Sequence, residues 1–105
     1  MKKLTIVLTL AAMLAFAGQA FAHSPLMSCF DNGDNTITCE GGFSDGSSAS
    51  GVKTMVKSGE GKVLIDGKMN EDSEFTFDKP AGAYMVIFDA GEGHTVEANG
   101  ADIIE

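Results

Sequence analysis

The sequence predicts an all-β protein: a small single-domain antiparallel β-sandwich of about seven strands. Three observations point there. Short runs rich in β-branched and aromatic residues alternate with clusters of Gly, Asn, Asp and Ser about every ten residues. No segment beyond the first 22 residues has the apolar spacing of an amphipathic helix. Thirteen glycines among 105 residues suit a chain that turns this often.

The first 22 residues stand apart. Lys2 and Lys3 form a basic start, an apolar stretch follows from Leu4 to Ala17, and Ala20-Phe21-Ala22 is a small-residue cleavage box. Met1–Ala22 therefore reads as a secretory signal peptide, with the sandwich domain at 23–105 and the cut directly before His23. The type of leader points to export into a bacterial periplasm. Removing it takes two of the seven lysines and leaves five against 15 carboxylates, with no arginine, a net charge of about −10. Nucleic acid and anionic membrane surfaces are therefore poor partners, because the sequence offers no basic cluster to hold them. Cations are the favoured small partners. The longest later apolar run, Ala83–Phe88, has the length of a strand and not of a membrane span, so the mature protein reads as soluble.

Leu26–Phe30 and Thr36–Glu40 read as a hairpin, with a three-residue turn at Gly33-Asp34-Asn35. Gly41–Ser48 reads as a turn-rich connection, Val52–Val56 as a strand and Ser58–Gly61 as a tight turn. Val63–Ile65 follows, then a polar loop from Asp66 to Asp72. Glu74–Phe77 alternates polar and aromatic residues, and Asp78–Gly82 turns the chain again. Tyr84–Asp89 is the candidate for a central strand buried on both faces. His94–Ala98 closes the domain after a glycine-rich turn, with a short tail at Asp102–Glu105.

Cys29 and Cys39 are the only cysteines. The turn at Gly33-Asp34-Asn35 sets them directly opposite each other, and in an oxidising compartment a disulfide across the hairpin is the simplest outcome. The rival is a thiolate metal pair, which would lack the Cys-x-x-Cys spacing usual for such sites. Mature methionines 27, 55, 69 and 85 are scattered, as core gap-fillers would be.

His23 and His94 are the only histidines. Cleavage after Ala22 would leave a free α-amine and an imidazole on one residue, a compact chelator suited to copper(II) or nickel(II). The imidazole of His94, in the run Asp89-Ala90-Gly91-Glu92-Gly93-His94, would add a third nitrogen in a T-shaped brace. Asp89, Glu92 and Met27 are further candidate ligands. The bland alternatives are a frayed first residue and a surface histidine at the start of a strand. Asp31-Asn32-Gly33-Asp34-Asn35 lacks the frame and terminal glutamate of a calcium loop. No Gly-x-Ser-x-Gly elbow and no phosphate-binding glycine motif appears, so hydrolytic and nucleotide chemistry have no support.

Several segments occur in a familiar order: the histidine start, Gly42-Phe43-Ser44-Asp45-Gly46, Gly61-Lys62-Val63-Leu64, Glu74-Phe75-Thr76-Phe77 and Val86–His94. Taken together, the mature chain resembles the small periplasmic accessory components of nickel/cobalt energy-coupling transporters, which belong to the carboxypeptidase-regulatory-like, transthyretin-like β-sandwich group. The resemblance implies a non-enzymatic protein. It implies that His23 and His94 ligate nickel or cobalt and that the ion passes to the transporter's substrate-binding membrane subunit. The Cys29/Cys39 hairpin is not part of that pattern, and no membrane anchor is attached. A periplasmic copper chaperone using a histidine brace, a brace-type copper monooxygenase and a structural or interaction module remain as alternatives.

Overall fold

The computed structural model describes residues 24–105; the segment read as a signal peptide, Met1–Ala22, and His23 lie outside the described residues. Seven strands form two antiparallel sheets: β1 (Pro25–Asp31), β2 (Thr36–Phe43), β3 (Lys53–Ser58), β4 (Val63–Lys68), β5 (Glu74–Asp78), β6 (Tyr84–Asp89) and β7 (Thr95–Asn99). A 3-10 turn, Gly100–Asp102, follows β7. One sheet has the order β1-β2-β5 and the other β4-β3-β6-β7. Hairpins join β1 to β2, β3 to β4 and β6 to β7, and the other three connections cross between sheets. Among the described residues no helix is long and apolar enough to cross a membrane.

Alternation along each strand explains the core. Ile37 and Cys39 of β2, Phe77 of β5, Val56 of β3, and Tyr84, Val86 and Phe88 of β6 are buried at every second position and pack together. Met69 and Ala49, both on crossing connections, complete this cluster. β6 is central, as its apolar composition predicts: it lies between β3 and β7 and buries Ile87 on the opposite face as well. The methionines divide. Met69 is in the core and Met27 packs against it, whereas Met55 and Met85 alternate out of it, on the outer face of the four-stranded sheet.

The first hairpin forms as the turn chemistry requires. Asn32 N–H donates to the Thr36 carbonyl (3.0 Å), leaving Gly33-Asp34-Asn35 as the loop, with Gly33 and Asn35 at φ 81° and 71°. Counting back from that bonded pair, Cys29 and Cys39 fall at a non-hydrogen-bonded position, where opposite residues come closest. Their Cα atoms are 4.0 Å apart and the disulfide is formed, which removes the thiolate metal pair.

Strand ends differ from the sequence reading by up to three residues, most at β2 and β4. β2 runs on through Gly41, Gly42 and Phe43, which pair with Met27, Leu26 and Pro25. β4 runs on through Asp66, Gly67 and Lys68, which pair with Met55, Thr54 and Lys53. Glycine weakens strand propensity locally, but here it admits a ring: a Cβ on Gly41 would lie 2.6 Å from Phe88, and one on Gly67 2.7 Å from Phe75. The last strand begins at Thr95, so His94 belongs to the turn before it.

Candidate metal centre

His94 is set by the β6–β7 turn. Ala90 N–H donates to the His94 carbonyl (3.0 Å) and His94 N–H to the Gly91 carbonyl (2.9 Å), closing a tight loop. Gly91 and Gly93 hold φ values of 116° and 77°, which glycine adopts without a Cβ penalty. Asp89 Oδ1 accepts the Gly91 N–H at 3.0 Å and so braces the turn.

The ring of His94 is also fixed. Its Nδ1 lies 3.1 Å from the Glu92 carbonyl oxygen. A carbonyl can only accept, so Nδ1 is the donor in this contact, and Nε2 is the ring nitrogen left to offer a lone pair to an ion. Metal-ligating histidines are oriented in this way, with one nitrogen donating to a carbonyl and the other facing the ion.

His94 lines a shallow pocket of about 380 Å³ with Phe43, Ser47, Ser48 and Ala90. Phe43, at the end of β2, stacks at a tilt on the core ring Phe88, with centroids 5.9 Å apart. The adjoining loop is tied down. Asp45 Oδ1 accepts the Ser47 N–H (3.0 Å) and hydroxyl (2.6 Å), and the Ser73 hydroxyl meets the Ser48 hydroxyl (3.1 Å) and the Ala49 N–H (2.9 Å).

The beginning of the described chain reaches this same loop. Ser44 N–H donates to the Ser24 carbonyl and Ser24 N–H to the Ser44 hydroxyl, both at 2.9 Å. Ser24 is the residue that follows His23. Ser24 is therefore anchored at Ser44, beside Phe43 and three and four residues before the pocket-lining Ser47 and Ser48.

The other predicted ligands are placed differently. Asp89 and Glu92 lie on the His94 turn, Asp89 with one carboxylate oxygen bonded to the backbone and Glu92 contributing its carbonyl. Met27 is not brought to His94: it packs against the core and borders a separate pocket with Leu26, Ser28, Glu40, Gly41 and Gly42. Among the described residues no group of three or more His, Cys, Asp or Glu side chains is arranged to hold a metal ion. His23, the remaining candidate, lies outside the described residues.

Sequence reasoning missed Phe43, Ser47 and Ser48 as the wall of the pocket and Ser24–Ser44 as its tie. The hairpin turn held a signal for the tie, because a register that pairs Cys29 with Cys39 also sets residue 24 opposite residue 44. The charged groups with displaced titration sit at the other end of the sandwich. There Lys79 Nζ lies 2.9 Å from Asp31 Oδ2, and that hydrogen bond, followed by one from the Gly33 N–H, holds the Asp31 carboxyl below its ordinary range. Burial raises the pKa of the Tyr84 hydroxyl, which has no hydrogen-bond partner among the described residues. In comparisons with known proteins, the chain matches no family model, no curated protein and no solved structure.

Proposed function

We propose that the mature protein is an exported, non-enzymatic metal carrier that holds nickel or cobalt between the His23 α-amine and imidazole and the His94 imidazole. One observation carries this reading: the His94 ring, with Nδ1 committed to the Glu92 carbonyl, stands in a pocket walled by the loop that binds Ser24. Two nitrogens from one residue and a third from a rigid turn form a chelate, and an ion held on an open face can be handed on. A periplasmic setting and delivery to a membrane transporter subunit complete the proposal, resting on the leader and on the transporter-component resemblance. The acidic surface favours cation approach at low salt.

The test is calorimetric titration of protein beginning at His23 with nickel, cobalt and copper. The expected result is one site per chain, with copper strongest because of the intrinsic metal order. Absence of binding for all three ions would refute the reading. Copper binding with no measurable nickel or cobalt binding would replace it with a copper carrier.

A further inference from the structure

The outer face of the four-stranded sheet has a charge pattern that the metal site does not use. Register and burial define the face: Lys53, Met55 and Lys57 on β3, and Met85, Ile87 and Asp89 on β6, alternate away from the core. Asp66 and Lys68 on β4, and Thr95 and Glu97 on β7, pair into the same rows. Ile87 is only 7% exposed yet is not part of the core cluster, and the half-buried Met55 and Met85 flank it. These apolar residues form the centre of the face.

The charges divide on either side of that centre. The β4–β3 half carries Lys53, Lys57 and Lys68 against the single Asp66. The β6–β7 half carries Asp89 and Glu97 and no lysine. Three of the mature chain's five lysines are thus gathered on one half-sheet of a strongly acidic protein.

The geometry points to a second copy of this chain as the occupant of this face, docked about a two-fold axis parallel to the strands. Such an axis lays the β4–β3 half of one copy over the β6–β7 half of the other, so Lys53 comes opposite Asp89 of the second copy and Met55 opposite its Ile87. An axis across the strands would instead stack lysines on lysines. Elsewhere two acidic copies repel; here each presents both signs in complementary halves. A depression of about 340 Å³ bordered by Lys57, Met85, Ile87 and Glu97 leaves room for a side chain of the second copy.

Size sets the strength. Four strands about 4.8 Å apart, with six residues at about 3.4 Å each, cover about 400 Å² in projection per copy. That is about 800 Å² for the pair, below the standard size and in the class of weak, transient contacts, so the dimer forms reversibly and only at elevated concentration.

Sedimentation velocity on protein beginning at His23, without added metal, tests this over a concentration series reaching the near-millimolar range. A reversible monomer–dimer equilibrium is expected; a monomer throughout overturns the proposal. Two double variants assign the face. Lys53→Glu with Lys57→Glu makes both halves negative, and Thr95→Lys with Glu97→Lys makes both positive. Each variant alone should dimerise at least about tenfold more weakly, and an equimolar mixture should recover the heterodimer. Both variants stay strongly acidic overall, so general attraction cannot mimic that recovery. Unchanged self-association in either variant, or no recovery on mixing, overturns the proposal. Zero-length cross-linking of a native isotope-labelled and unlabelled mixture gives an independent readout should a variant not fold. Mixed Lys53–Asp89 links are expected, and intermolecular links confined to other faces count against this one.

Discussion

At the scale of single residues, the decisive group is the His94 ring. Its Nδ1–H to the Glu92 carbonyl leaves one lone pair to give, and His94→Ala removes it. Nickel affinity should fall by more than about a hundredfold, above the ~10–100-fold that follows loss of a ligand's hydrogen-bond partner. His23→Ala should cost a similar factor and the double variant little more, because in the proposed site the nitrogens act as one chelate. Calorimetry on the three variants checks this, with circular dichroism to confirm the fold, and fully additive losses would separate the two histidines. Binding should also weaken as pH is lowered, since protons compete for the same nitrogens.

A second residue-scale prediction concerns acid stability. Asp31 is held below the ordinary carboxylate range first by its hydrogen bond from Lys79. A depressed folded value means that the contribution is present above the unfolded carboxylate value and is lost as pH falls through the folded one. Lys79→Met should therefore be less stable than wild type near neutrality by a small margin that closes on acidification. Urea unfolding at a series of pH values measures it, and a gap that stays constant into strong acid would contradict the assignment. The partner's side of the pair agrees in sign: Lys79 is raised, chiefly by Asp31, so its contribution is lost only as pH rises through that raised value.

At the scale of elements, the β1–β2 hairpin carries the disulfide and follows directly on Ser24. β1 is an edge strand, bonded to β2 alone within its sheet. Replacing Cys29 and Cys39 together by Ala should lower unfolding free energy by about 2–3 kcal/mol, the scale of a short closed loop. Chemical denaturation of the oxidised protein against the double variant reads this out. The extended end of β2 offers a sharper contrast. Gly41→Ala should destabilise by about 1–3 kcal/mol, because its Cβ would press on Phe88 and Met69. Gly42→Ala, whose Cβ would meet nothing within 4 Å, should be close to neutral. Equal effects at the two neighbours would show that close packing is not what keeps position 41 a glycine.

At the scale of the whole molecule, the sandwich brings distant parts of the chain to one end. The Asp89–His94 turn and the Phe43–Ser48 loop share a pocket, and the residue after His23 is bonded to that loop. Processing should then control binding. Protein retaining Met1–Ala22, or carrying one extra residue before His23, should bind nickel and copper far more weakly than protein beginning at His23. An amide nitrogen in the uncut chain does not replace a free amine. Equal affinity in titrations of the two forms would remove the amine from the site.

Much of this architecture is local and therefore readable from the chain. β-prone runs between turn clusters placed seven strands to within a few residues at their ends, Gly33-Asp34-Asn35 fixed the hairpin register, and that register set Cys29 against Cys39. The two glycines of the last turn likewise marked where His94 would be held. Non-local packing decided the rest. β2 and β4 continue through glycines because Phe88 and Phe75 need the space, and those rings come from other strands. The assignment of strands to sheets, the meeting of Ser24 with Ser44 near His94, and the separation of Met27 from it were likewise settled in three dimensions. The sequence alone determined which segments extend, though not where each of them ends, because those preferences act over a few residues. Only the tertiary structure determined which of them meet, because that depends on how two sheets bury their apolar faces against each other.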